Sequence, residues 1–137
     1  MKNLIKILVI DKEEIILKSV KKALKNNDHT EFVITTCNTA LEGLKLIRTD
    51  KFDLALIDPI LPGMNGNELI RRIKNIYQDM PIIIMSGYSS VGTNQFEFVT
   101  GQNGFSKPTV DILKKPFTTE EINSVIGKTL RNYLNIN

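Results

Sequence analysis

The sequence predicts a doubly wound α/β domain, a parallel sheet of five strands flanked by helices. Two observations carry that prediction. Short apolar runs recur along the chain, and segments of helical period separate them, as expected for strands joined by crossover helices. The runs are Ile7-Leu8-Val9-Ile10, Phe32-Val33-Ile34, Leu54-Ala55-Leu56-Ile57, Ile82-Ile83-Ile84-Met85 and a weaker Ile112-Leu113. The first, third and fourth are too continuously apolar for strands with one face in water.

Between the runs, Ile15, Ile16, Ser19, Val20, Ala23 and Leu24 repeat at helical spacing, as do Leu69, Ile70, Ile73, Ile76 and Tyr77, so both sets read as core-facing stripes. A box from Thr39 to Glu42 opens the second helix. The last helix has the clearest start, because Thr118-Thr119-Glu120-Glu121 forms a capping box ahead of Ile122, Val125, Ile126, Leu130, Tyr133 and Leu134. From Gly87 to Pro108 the rhythm breaks. Gly87, Gly92, Gly101 and Gly104 leave only the short cluster Phe96, Phe98, Val99, so the region between the fourth and fifth strands is expected to be irregular or lengthened.

Length and composition narrow the function. A chain of 137 residues, 42% hydrophobic and 24% charged, reads as one domain over 1–137, with 135–137 a frayed polar tail. Eighteen Lys plus Arg against fifteen Asp plus Glu leave +3, too little for the basic stripe that direct nucleic-acid binding needs. The lone Cys37 forms no internal disulfide, and with a single histidine there is no zinc cluster; a reducing, cytoplasmic compartment is expected. No export signal or membrane span is apparent in Met1 to Asp11.

Three charged residues fall at predicted strand ends: Asp11 after the first, Asp58 after the third and Lys115 after the fifth, with Ser86 closing the fourth. In an open parallel sheet, ligands gather outside the carboxyl ends of the strands, and a 2-1-3-4-5 order puts its switch point between the first and third. Asp11 and Asp58 then face each other across that crevice. Two carboxylates, a hydroxyl and an ammonium suit a hard cation with a phosphoryl group, and a carboxylate is a competent phosphoryl acceptor. The same placement is also read as two aspartates capping their turns while Lys115 pairs with one of them.

Four segments, in order, resemble the receiver domains of two-component response regulators: Ile7-Leu8-Val9-Ile10-Asp11-Lys12-Glu13-Glu14, Asp53 to Gly66 with Asp58-Pro59-Ile60-Leu61-Pro62-Gly63-Met64-Asn65-Gly66, Met85-Ser86-Gly87-Tyr88, and Lys115-Pro116-Phe117. The Asp58 to Gly66 segment is the most specific. The strand order 2-1-3-4-5 of a flavodoxin-like sheet is that of the family's chemotaxis regulators, so the expectation of that order rests on the resemblance. The resemblance implies that Asp58 is the phosphoacceptor, Asp11 an acidic-pocket residue, Ser86 the hydroxyl that binds the phosphoryl group and Lys115 its ion-pair partner. It implies Mg²⁺ as cofactor, held by Asp11, Asp58 and the Ile60 backbone carbonyl. It also implies a sensor histidine kinase or phosphotransfer protein as donor, a downstream protein or linked output domain as recipient, and a cis Lys115-Pro116 peptide.

The departures are as informative as the matches. Where the family carries a second acidic metal ligand, this chain has Lys12. An ammonium cannot coordinate Mg²⁺, and near the pocket it competes with the cation for Asp11 and Asp58. Glu13 is a substitute ligand only if it turns inward, and Lys12 is equally read as pointing to solvent. The path from Ser86 to Lys115 exceeds the family's by roughly two helical turns, and within it Gly104-Phe105-Ser106-Lys107-Pro108 makes Lys107 a rival pocket lysine. Ile112 stands where the family has an inward-swinging aromatic residue, and Tyr88 is a substitute aromatic contact. His29, in Asn26-Asn27-Asp28-His29, reads as a solvated turn, and Lys18, Lys21, Lys22 and Lys25 as a polar face that the resemblance links to kinase docking.

Two functions follow. One is a phosphoacceptor receiver module in a two-component phosphorelay, a signalling domain rather than an enzyme. The other is a pseudo-receiver, a phosphorylation-independent protein-binding module in which Lys12 replaces the missing cation. A flavodoxin-like or hydrolytic enzyme lacks support, because no phosphate-cradling Gly-rich loop follows the first strand and no Ser, His and Asp constellation is available.

Overall fold

The apolar runs become the strands of a single sheet because each is long enough to pair and too hydrophobic to leave in water. The computed structural model describes residues 2–87 and 111–136. Its strands are β1 (Asn3–Ile10), β2 (Thr30–Cys37), β3 (Leu54–Ile57), the two-residue β4 (Ile60–Leu61) and β5 (Met64–Asn65), β6 (Ile82–Ser86) and β7 (Asp111–Lys114). Its helices are α1 (Glu14–Ala23), α2 (Ala40–Thr49), α3 (Gly66–Ile76) and α4 (Thr119–Tyr133). The main sheet runs β2-β1-β3-β6-β7, parallel throughout, while β4 and β5 pair antiparallel in a separate ribbon. Apart from that ribbon, this is the expected 2-1-3-4-5 order. Beyond Gly87 the Gly-rich stretch, with Tyr88 and Lys107, lies outside the described residues.

Alternation along the central strands builds two cores, since successive strand side chains point to opposite faces. Leu8, Ile10, Ala55, Ile57, Ile82 and Ile84 pack on one face against Leu44 and Ile47 of α2 and Leu69 and Ile73 of α3. Ile7, Val9, Leu54, Leu56, Ile83 and Met85 pack on the other against Leu17 and Val20 of α1 and Ile122 and Ile126 of α4. Every residue of β3 is fully buried, as its unbroken run predicts. At about 25 cal/mol per Å² of apolar area, each buried Leu or Ile side chain there contributes roughly 1.5–3 kcal/mol.

Three expectations are corrected by packing. Ile15 is exposed, because it precedes Leu17 by two residues and so lies about 200° around α1 from the stripe of Leu17, Val20 and Leu24. Ile76 and Tyr133, placed in the core stripes of their helices, are also exposed. Of the tail expected to fray, the described residues Asn135 and Ile136 are held: Asn135 adopts a left-handed φ of 56°, the Ile136 amide donates to the Leu130 carbonyl at 2.9 Å, and Ile136 packs on the α1/α4 core.

The caps follow the sequence signals. At α4 the Thr118 hydroxyl accepts from the Glu121 amide at 3.0 Å while Glu121 Oε1 accepts from the Thr118 amide at 2.9 Å, a complete capping box. At α2 Thr39 accepts from the Glu42 amide, and this cap is made by the threonine side chain. Cys37 ends β2 as a buried small hydrophobe; burial, with the nearby Glu42 charge, pushes its thiol up to about 12, so it stays neutral.

Candidate functional site

The site is assembled by the backbone ladder running one residue past the strand ends. The Asp11 amide donates to the Cys37 carbonyl at 3.2 Å, the Asp58 amide to the Ile10 carbonyl at 2.9 Å, and the Lys115 amide to the Ser86 carbonyl at 2.8 Å. Each side chain therefore leaves from a backbone position pinned to its neighbour, at the carboxyl edge of the sheet. The Lys115–Pro116 peptide is cis. Asp11 and Asp58 are 0% and 2% exposed, so both carboxylates have exchanged water for protein partners.

Each carboxylate divides its oxygens between two tasks. Oδ1 of Asp11 accepts from the Glu13 amide at 2.8 Å, and Oδ1 of Asp58 from the Ile60 amide at 2.9 Å, turns closed two residues on. Oδ2 of each faces ammonium groups: Lys115 Nζ stands 2.6 Å from Asp11 Oδ2 and 3.4 Å from Asp58 Oδ2. The turn-capping and charge-pairing readings of these aspartates are thus both realised, on different oxygens. Burial raises the Asp11 carboxyl above its ordinary range; the Lys115 contact and the Glu13 amide pull it back down, and the Asp58 charge adds to the rise.

Lys12 is turned inward. Its Nζ donates to Asp58 Oδ2 and to the Ile60 carbonyl, both at 3.1 Å. Its side chain is 41% exposed, so part of it meets water while the ammonium contacts the site. Glu13 lies with its carboxylate 3.9 Å from Lys115 Nζ and its side chain 53% exposed, on the lysine rather than on Asp58. Ser86 is buried at the end of β6, and its hydroxyl donates to the Gly87 carbonyl at 3.1 Å. Ile112 is half-buried against the α2/α3 core.

One close approach was not anticipated in the sequence. The Gly66 amide donates to the Pro59 carbonyl at 2.9 Å, and a Cβ on Gly66 would lie 2.5 Å from Pro59 Cα. The signal was present in the Asp58 to Gly66 segment, where a glycine opens a helix that ordinarily favours alanine. Pro59, Ile60, Leu61 and Met64 to Asn67 line a cavity of about 300 Å³ beside the site.

The oxygens that Mg²⁺ would need are the ones the ammonium groups hold. A divalent cation of this kind takes near-octahedral oxygen ligands at about 2.1 Å. Here Asp58 Oδ2 and the Ile60 carbonyl converge on Lys12, Asp11 Oδ2 converges on Lys115, and among the described residues no group of three or more acidic, His or Cys side chains could hold a metal ion. With Lys12 in this position the residues do not fit the cation.

The family model described as response regulator receiver domain matches residues 7–127. Among curated proteins, the response regulator MprA of Mycobacterium ulcerans is 28% identical over 127 residues, 93% of this chain and 50% of that protein. MprA of Mycobacterium leprae is 27% identical over 126 residues, 92% and 51%. The chain spans about half the length of these relatives. A CheY-like response regulator receiver domain protein from Methanospirillum hungatei superposes with a TM-score of 0.79 at 28% identity, covering 97% of this chain and 98% of that one. A response regulator receiver domain protein from Clostridium thermocellum gives 0.75 at 25%, covering 96% and 99%. Among the described residues no helix is long and apolar enough to cross a membrane.

Proposed function

Because this chain belongs to the response regulator receiver domain family, we propose that it is a phosphoacceptor module of a two-component phosphorelay, with Asp58 as acceptor. The observation that supports the reading is the Asp58 carboxylate at the strand edge with Oδ2 between two ammonium groups, Lys12 at 3.1 Å and Lys115 at 3.4 Å. In this reading a carboxylate oxygen of Asp58 forms a bond to phosphorus while the bond from phosphorus to the donor breaks, and the donor's departing imidazole nitrogen keeps the electron pair. The ammonium groups offset charge on the phosphoryl oxygens without giving up a proton. Ser86 supplies a hydroxyl once it turns from the Gly87 carbonyl. The donor is a sensor histidine kinase or phosphotransfer protein, and the recipient is a downstream protein or linked output domain. Mg²⁺, the family's cofactor, is disfavoured while Lys12 holds Asp58 Oδ2 and the Ile60 carbonyl.

The same Lys12 contact favours one second reading, a pseudo-receiver that works by protein contact with Asp58 permanently paired. Intact-mass analysis after incubation with acetyl phosphate separates the two. The phosphoacceptor reading expects one added phosphoryl group on the wild type and none on Asp58→Asn; label on Asp58→Asn would overturn the assignment of the acceptor.

A further inference from the structure

The pocket contains a cation of its own, attached to the chain. Lys12 Nζ makes two contacts, to Asp58 Oδ2 and to the Ile60 carbonyl, each at 3.1 Å. Those atoms lie two residues apart, one on a side chain just past β3 and the other on the backbone of β4, and the ammonium adds a second link beside the Ile60 amide's bond to Asp58 Oδ1. A carboxylate and a carbonyl converging on one point form a hard, oxygen-only site suited to a positive charge. Lys115 does not serve that point, because it stands closest to Asp11, at 2.6 Å, and reaches Asp58 only at 3.4 Å.

Position and exposure give Lys12 a second property. Asp58's side chain is 3% exposed and that of Lys115 is 11%, whereas that of Lys12 is 41%. Among the described groups touching Asp58 Oδ2, Lys12 therefore has the more exposed side chain, on the water side of that oxygen. Its flexible four-carbon stem can follow the phosphoryl oxygens as they arrive.

We propose that Lys12 is a tethered replacement for the divalent cation, so that phosphoryl transfer to Asp58 proceeds without metal and Mg²⁺ is kept from the site. The proposal rests on the phosphoacceptor reading of Asp58. With acetyl phosphate as donor, a bond forms between an Asp58 carboxylate oxygen and phosphorus, the bond from phosphorus to the acetyl oxygen breaks, and acetate leaves with the electron pair. Lys12 stays protonated and exchanges its contact with Asp58 for one with the phosphoryl oxygens.

The experiment compares wild type, Lys12→Met, Lys12→Asp and Asp58→Asn by intact mass, with acetyl phosphate and with phosphoramidate, in EDTA and in MgCl₂. Amide NMR shifts of Asp58 and Ile60 during MgCl₂ titration give a second readout that needs no turnover. The wild type is expected to label in EDTA within twofold of its rate in Mg²⁺. Lys12→Met is expected to lose at least tenfold in EDTA, and Lys12→Asp to label only with Mg²⁺ and to bind it at least tenfold more tightly than the wild type. A wild type that labels only with Mg²⁺, or equal Mg²⁺ midpoints for wild type and Lys12→Asp, would overturn the proposal and leave Asp58 as acceptor. If neither wild type nor Lys12→Asp labels under any condition, the phosphoacceptor reading falls, and metal-free transfer falls with it.

Discussion

Removing the ammonium of Lys115 tests whether this edge of the sheet is held by charge. Lys115→Met keeps most of the stem's packing and deletes the group 2.6 Å from Asp11 Oδ2, leaving a carboxylate with 0% exposure facing its neighbour Asp58. Breaking one side of a buried pair costs about 3–5 kcal/mol. Asp58 retains Lys12, so the lower end, about 3 kcal/mol at pH 7.5, is expected. Part of that cost depends on pH. Burial already raises the Asp11 carboxyl above 3.8 in the folded chain, against the pull of Lys115. A folded value above the unfolded one means stability is present in full below the unfolded value and is lost as pH rises through the folded value. Without Lys115 the carboxyl rises further, and the loss extends toward neutral pH. The penalty for Lys115→Met is thus expected to be smaller at pH 4.5 than at pH 7.5, because protonation of Asp11 is easier at the lower pH, and Asp11→Asn in the same chain should recover most of it at pH 7.5. Urea unfolding followed by far-UV circular dichroism suits a chain without tryptophan. Equal penalties at the two pH values, or a double variant as unstable as Lys115→Met, would refute the reasoning.

Two further substitutions probe the frame around the site. Gly66→Ala would place a Cβ 2.5 Å from Pro59 Cα and 2.6 Å from its carbonyl oxygen, so despite alanine's better helix propensity it should lower stability by about 1–3 kcal/mol in urea titration. Thr118→Ala removes one half of the α4 capping box and should cost about 1 kcal/mol, read as a shift in the urea midpoint with unchanged slope.

Much of the frame was legible before any coordinates. Unbroken apolar runs at Ile7–Ile10, Leu54–Ile57 and Ile82–Met85 are too short for buried helices and read as strands buried on both faces, and where such a run ends in a polar residue the edge of the sheet is marked. That is why Asp11, Asp58, Ser86 and Lys115 could be named together, and why the Thr118 to Glu121 box located the last helix. The helical stripes were less exact. A stripe read from spacing alone admits neighbours on its flank, and Ile15, Ile76 and Tyr133 lie on the water side because the sheet covers only part of each helix.

The sequence by itself determined the class of the fold, the residues at the strand ends and the departure at Lys12. Which way Lys12 points was decided only by the tertiary structure. Successive residues leaving a strand diverge, and a four-carbon stem reaches either solvent or pocket, so local sequence leaves the choice open. It was resolved by the Ile60 carbonyl, which the turn after Asp58 brings beside Asp58 Oδ2, giving the ammonium two acceptors at 3.1 Å from residues 46 and 48 positions away. The same long-range geometry placed Lys115 closer to Asp11 than to Asp58. Charge partners across a sheet edge are set by register and turn shape, which arise only when all the strands are in place.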